Sequence, residues 1–288
     1  MALTMAPKVP ERANPGAAPL QLELPGGSIA YETAGRGVPI LFVHSVIADR
    51  RMWNREFSLC SADHRTVRFD LRGFGSSPPA ATAFSYGADM AALVSHLRLD
   101  RPYLVGSSMG GAFAIDFAIA HPDQVRGLML VAPGLSGGFE PPFDSEEQAA
   151  FDYDEKKSQE IVRAWSRHDT ASAVDLLRQL WCSALVGPNR ALFQRMVEEN
   201  LSEVFDDRSM KLATRAPPAA GRLSEIHVPT TVLLGDRDNP SSAVFAKRIA
   251  RSIGGSRLVT VPGADHLVNL SAPEAFDREL RAALALLH

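Results

Sequence analysis

The sequence predicts an open α/β fold, a mostly parallel sheet with helices on both faces, and three observations predict it. Six short apolar runs, "VPILFVHS", "TVRFDLRG", "PYLVGSS", "VRGLMLVAP", "TTVLLGD" and "SRLVTVPG", each end in Gly, Ser, Asp or Pro. Strands buried on both faces of a parallel sheet read this way, with loops at their carboxyl ends. Helical patterns stand between the runs, and strand alternating with helix implies crossover connections. One long stretch then breaks the alternation.

Taken in chain order, "LQLELPGGSIAYETAG" alternates apolar and polar residues around a Pro-Gly-Gly turn and reads as a β-hairpin. "SYGADMAALVSHLRLD" sets Met90, Leu93, Val94 and Leu97 at helical spacing. "GGAFAIDFAIAHPDQV" does the same with Phe113, Ile115 and Phe117 before the stop at Pro122. From about Ser136 to Leu223 no buried strand is evident, and "SEEQAAFDYDEKKSQEIVRAWSRHD", "TASAVDLLRQLWCSALV" and "NRALFQRMVEENLSEVF" read as amphipathic helices. The expected organisation is a flexible arm over 1–19, a core made of 20–135 and 224–288, and a helical cap over 136–223 that lies across the strand ends. The acidic "EEQAAFDYDEKK" reads as a solvated helix face. "EAFDRELRAALALLH" is an amphipathic terminal helix that packs on the sheet, its Leu-rich end leaving a homodimer open as an expectation.

Composition narrows the function. The 288 residues are 45% hydrophobic and 22% charged, enough for one sizeable core, and the formal net charge is −3. That balance supplies no broad positive field for nucleic acid or anionic lipid, so neither is an expected partner. Cys60 and Cys182 stand far apart, outside any metal-ligand spacing, and read as reduced thiols of a cytoplasmic protein. The opening "MALTMAPKVPERANPGAAPL" mixes charge with proline and has the pattern of neither a secretory signal nor a membrane anchor.

Chemistry concentrates in "LVGSSMGG". A Gly-x-Ser-x-Gly elbow needs small residues two before and two after the serine, because strand turns into helix too tightly for side chains there. Centring on Ser107 puts Val105 and Met109 at those places, whereas centring on Ser108 puts Gly106 and Gly110 there. Ser108 is therefore the candidate. "GLSGG", Gly134 to Gly138, matches as well around Ser136, but two prolines in the following "FEPPFD" forbid an immediate helix. A serine hydroxyl is inert at neutral pH without a base, and the base needs an acid to orient it. His266, in "VPGADHLVNL", is the histidine that follows the last predicted strand. His121, His168, His227 and His288 end a helix, sit in the insertion, precede a strand or close the chain. In "TTVLLGDRDNP" both Asp236 and Asp238 follow a strand, and Asp238, clear of it and leading into an Asn-Pro turn, is preferred.

Together "FVHS" with "DRRMW", "FDLRGFGSS", "VGSSMGG", "HPDQVRGLMLVAPGL", "LLGDRD" and "PGADHLVNLSAPEAF" resemble the α/β-hydrolase fold superfamily, in its order, from Leu20 to the C-terminus except for the insertion. Within it the chain is most similar to the capped esterase, enol-lactonase, non-haem haloperoxidase and carbon–carbon bond hydrolase group. The resemblance implies an eight-stranded, mostly parallel sheet with a helical cap after strand 6. It implies Ser108 as nucleophile, His266 as base, Asp238 as orienting acid, and the N–H groups of Met109 and Val46 as the oxyanion hole. No cofactor or metal is implied. Two departures stand out: His44-Ser45 where the family commonly has His-Gly, and Asp265 where glycine often precedes the histidine. Ser45 either is tolerated or adds a hydroxyl donor; Asp265 either faces solvent or acts on His266.

"DLRGFGSS" reads as a turn packing near the site and lacks the residues of a phosphate cradle. His44 reads as a brace for its loop rather than a metal ligand. Candidates for an apolar pocket are His44, Ser45, Val46, Ile47, Trp53, Met109 and Leu267 from the core, and Trp165, Leu180, Trp181 and Phe193 from the insertion. The expected function is hydrolysis of a small, largely apolar ester or lactone through an acyl-enzyme. Carbon–carbon cleavage of a diketone, a non-hydrolytic cyclase or lyase, and a small-molecule receptor remain as alternatives, because one triad serves several chemistries.

Overall fold

The computed structural model describes residue 10 and residues 18–286; most of the expected N-terminal arm, 1–19, lies outside them. Its elements in chain order are β1 (Leu20–Leu24), β2 (Gly27–Ala34), β3 (Pro39–Val43), α1 (Asn54–Cys60), β4 (Arg65–Phe69), α2 (Tyr86–His96), β5 (Tyr103–Ser107), α3 (Met109–Ala120) and β6 (Gly127–Val131). After these come α4 (Ser145–Ser166), α5 (Thr170–Trp181), α6 (Gly187–Glu199), α7 (Leu201–Val204), β7 (Thr230–Gly235), α8 (Pro240–Ser252), β8 (Arg257–Val261), α9 (Val268–Ser271) and α10 (Pro273–Ala285).

Among the described residues the eight strands form one sheet in the order β1-β2-β4-β3-β5-β6-β7-β8. The β1–β2 hairpin and the β2–β4 pair are antiparallel, and every pairing from β4 to β8 is parallel. This is the sheet expected from the apolar runs. The chain winds outward in one direction from β3 to β4 and then returns to the other side of β3 with β5. That reversal opens a crevice at the carboxyl ends of β3 and β5, where open α/β sheets bind ligands.

Alternate residues of each strand enter different cores. Leu41, Val43, Leu104, Leu128 and Leu130 join Met90, Leu93, Phe113 and Phe117 of α2 and α3 on one face. Ile40, Phe42, Val105, Met129 and Val131 join Trp53 and the Phe276 and Leu280 of α10 on the other. The double burial explains why these strands read as continuous apolar runs. Phe276 is fully buried, a contribution of about 1.5–3 kcal/mol over an exposed position.

The insertion between β6 and β7 is helical, α4 to α7, and its Ile161, Val174, Leu177, Phe193 and Met196 extend the second core. Polar contacts fix it to helices and loops of the core. Glu147 of α4 pairs with Arg248 of α8, and Asn189 donates to the Leu270 carbonyl at 2.7 Å. Asn200 donates to Asp49 at 3.1 Å and accepts from the Gly75 N–H at 2.7 Å, so the "DLRGFGSS" turn abuts the insertion. Among the described residues no helix is long and apolar enough to cross a membrane.

Candidate active site

Ser108 is the single residue between β5 and α3, and its backbone is left-handed, φ 54° and ψ −120°. A non-glycine residue there costs on the order of 1–3 kcal/mol and persists only when its surroundings over-determine it. They do so here. The Ser108 N–H donates to the Val131 carbonyl at 2.9 Å, and its carbonyl accepts from Gly111 at 2.9 Å and Gly134 at 2.8 Å. A Cβ on Gly106 would stand 2.4 Å from the Gly110 carbonyl oxygen, and one on Gly110 would stand 2.5 Å from that of Val43. The glycine spacing is thus a steric demand of the turn, and it seats α3 directly against the end of β3.

Asp238 and His266 come together from the loops after β7 and β8. The His266 Nδ1 lies 3.0 and 3.1 Å from the two Asp238 carboxylate oxygens, with the Ser242 hydroxyl 3.3 Å away. His266 is 3% exposed and the Asp238 side chain 1%. With a carboxylate facing Nδ1, the proton belongs on that nitrogen, and Nε2 is left as the basic one. Asp236 is engaged elsewhere, accepting from the Gly263 N–H at 2.6 Å. Of the two aspartates, Asp238 is the one that meets His266. Among the described residues the Ser108 hydroxyl forms no hydrogen bond with His266. Such contacts commonly tighten only around a bound substrate.

His266 is held by the insertion as well. The His266 N–H donates to the Trp181 carbonyl at 3.1 Å, and the two rings lie 4.6 Å apart. Asp265 does not face solvent: it is fully buried, accepting from Ala184 of the insertion at 2.9 Å and from Leu267 at 3.1 Å. Burial raises its own pKa above the usual carboxylate range. It works as a clasp between the insertion and the histidine loop.

The loop after β3 lacks glycine and is fixed by side chains instead. His44, fully buried, donates from Nδ1 to the Ser45 carbonyl at 2.8 Å and accepts at Nε2 from the Leu71 N–H at 2.9 Å. Burial lowers its pKa, which keeps the ring neutral and this tautomer intact. The buried Ser45 hydroxyl accepts from the Ile47 N–H at 3.4 Å. Among the described residues the N–H groups of Val46 and Met109 make no hydrogen bond.

Several expected pocket residues stand elsewhere. Trp53 is fully buried between Phe42 and Phe276, ring centroids 5.3 and 5.9 Å away, because α10 closes over it. Leu267 is likewise fully buried in that core, and Ile47 nearly so. Trp165 stacks on Phe205 at 4.7 Å and donates to Asp206 at 2.7 Å, a contact internal to the insertion. Phe193 and Leu180 are buried in the second core. His44 and Ser45 build the loop from behind. Of the expected aromatics, Trp181 alone contacts the Asp238–His266 pair.

Ser242 and Asp154 were not foreseen. Asp154 of α4 accepts from the Ser241 hydroxyl, and burial, with the nearby negative Asp238, raises its pKa. The signal existed: Asp154 falls on the helical stripe of the buried Ala150 and Ile161.

The sequence model of the Alpha/beta hydrolase family matches residues 40–279. The chain is 27% identical over 249 residues to the AB hydrolase superfamily protein YisY of Bacillus subtilis, covering 83% of this chain and 88% of that protein. Among solved structures it is similar to a thermophilic esterase from Thermogutta terrifontis, at 26% identity and TM-score 0.72 over 94% of this chain and 98% of that one. It is also similar to an N-acyl homoserine lactone degrading enzyme, at 25% identity and TM-score 0.71 over 91% of this chain and 99% of that one.

Proposed function

Because the chain belongs to the α/β-hydrolase family, we propose that it is a serine hydrolase of small, largely apolar esters or lactones, working through an acyl-enzyme on Ser108. The observation that carries this reading is the buried Asp238–His266 pair, which leaves Nε2 as a base on the same sheet edge as a serine held in the elbow conformation. The esterase and lactone-degrading neighbours support the substrate class.

His266 takes the Ser108 proton at Nε2 as the serine oxygen attacks the substrate carbonyl. The N–H groups of Met109 and Val46, free of other partners, receive the charge on the carbonyl oxygen, and losing one such donor costs roughly 10²–10³ in rate. Collapse breaks the ester bond, and the imidazolium returns its proton to the departing alkoxide. Water, deprotonated by the same nitrogen, then attacks the acyl carbon and frees the acid and the serine. The insertion is the cap of this site, carrying Trp181 against the base.

Acid-quenched mass spectrometry after mixing with p-nitrophenyl butyrate tests the reading. The expected result is one butyryl group on the Ser108 peptide together with released p-nitrophenol. Absence of any acyl adduct and of turnover, with p-nitrophenyl esters and with N-acyl homoserine lactones, in folded protein would overturn it.

A further inference from the structure

Asp265 is fully buried, and among the described residues no lysine or arginine pairs with its carboxylate. Its two oxygens divide between two segments. Oδ1 accepts from the Leu267 N–H of its own loop at 3.1 Å, and Oδ2 accepts from the Ala184 N–H of the insertion at 2.9 Å. Burying a carboxyl without a cation is costly, and the raised pKa of Asp265 reflects that cost. As mere filling between two loops, a small apolar side chain would serve better.

The segment from Trp181 to Ala184, between α5 and α6, answers with a bond in the other direction: the Trp181 carbonyl accepts from the His266 N–H at 3.1 Å. One short turn of the insertion thus brackets two consecutive residues of the histidine loop. Cys182 within it and Leu185 just beyond it are buried in the second core, which makes the turn a firm support. The two bonds ask different things of the sequence. His266 to Trp181 joins backbone to backbone, whereas the Ala184 bond needs an acceptor side chain at position 265, and among the described residues that N–H has no other partner. Asp265 is itself fixed, its N–H donating to the Ser271 hydroxyl at 3.0 Å and its carboxylate closing a turn onto Leu267.

We propose that Asp265 is a positioning residue: it ties the 181–184 turn of the insertion to the histidine loop, so that His266 is held in its reactive place only while that turn is seated. The proposal rests on the hydrolase reading for what His266 does and adds what holds it there. Asp265 touches no reacting atom. The tie works in both directions, because an insertion lifted from the strand ends takes the Trp181 carbonyl away from His266, and proton transfer waits for its return.

The test uses Asp265→Ser, whose hydroxyl can still accept from the Leu267 N–H two residues on but is too short to reach Ala184. Amide hydrogen exchange followed by NMR is expected to show the protection of the His266 N–H falling about tenfold, with the amides of β6 unchanged, which certifies the fold. On p-nitrophenyl butyrate kcat is expected to fall about tenfold while KM stays within about threefold, the pattern of a displaced group rather than of lost binding. Unchanged protection of the His266 N–H would overturn the proposal. Lost protection with kcat unchanged would overturn it too, since the tie would then be structural alone. Should the serine variant not fold, Asp265→Asn, which keeps the shape and loses one of the two acceptors, is read in the same way. If the wild type turns over neither esters nor lactones, the hydrolase reading fails, while the exchange result still judges whether Asp265 holds His266.

Discussion

Two serines in this chain lie at the centre of Gly-x-Ser-x-Gly, and their surroundings have nothing else in common. Ser108 stands alone between a strand and a helix in a left-handed conformation, and both flanking glycines would drive a Cβ into backbone at 2.4–2.5 Å. Ser136 lies in a loop. A Cβ on Gly134 would meet its nearest atom at 3.5 Å, an ordinary contact, and one on Gly138 would meet nothing within 4 Å. The Ser136 hydroxyl is already bound to Asp116 at 2.5 Å. The same five letters are a steric requirement in one place and a coincidence in the other, and what separates them is the strand before and the helix after.

The comparison breaks most visibly at the acid. Asp238→Asn keeps the shape but favours the tautomer with its proton on Nε2, so ester turnover should fall about 10⁴-fold, as for the equivalent change in a serine protease triad. Asp116→Asn, beside the other serine, should leave kcat/KM within about threefold. A fall of similar size in both variants, measured on p-nitrophenyl butyrate, would erase the distinction between the serines.

The glycines sharpen it next. Gly106→Ala and Gly110→Ala should each destabilise by about 3 kcal/mol, since the obstructing atoms are backbone. Gly134→Ala should cost under about 0.5 kcal/mol, because its Cβ has room and its φ is not left-handed. Chemical denaturation curves of the three variants check the order.

The smallest effect concerns pH at the second serine. Burial raises the Asp116 pKa, and the Ser136 hydrogen bond opposes the rise. The folded state therefore keeps a proton that the unfolded chain has released, so this group's contribution to stability declines as pH rises from below the ordinary aspartate range through the folded value. Ser136→Ala removes a donor to the ionised form and should steepen that decline, destabilising the protein more at pH 7 than at pH 3. Equal destabilisation at both, by thermal melting, would mean that the carboxyl does not ionise in the folded state.

Sequence carries some of this architecture and withholds the rest for physical reasons. The parallel strands were legible because burial on both faces makes them continuously apolar, as Pro39–Val43 and Gly127–Val131 show. The tight turn at Ser108 was legible through its glycines, and the meeting of His266 with Asp238 through the places of both after strands. The helices α1 and α8 left a fainter pattern: α8 buries only Ser242, Ala246 and Ile249, and its start is set by Asn239 accepting from the Ser242 N–H at 2.8 Å. Pocket residues were the least legible. Trp53 and Trp181 are both large, apolar and near a strand end in expectation, but α10 closes over the first while the second meets His266. Partners so distant in sequence leave no local trace. Ser45 could not be read locally either, since the glycine it replaces is compensated by His44 binding Leu71 across the loop.

The most direct test of the central claim is intact-mass labelling with a fluorophosphonate on the wild type, Ser108→Ala and Ser136→Ala. The account predicts a single adduct on wild type and on Ser136→Ala, and none on Ser108→Ala. An adduct that survives in Ser108→Ala, or that vanishes in Ser136→Ala while the protein stays folded, would contradict it.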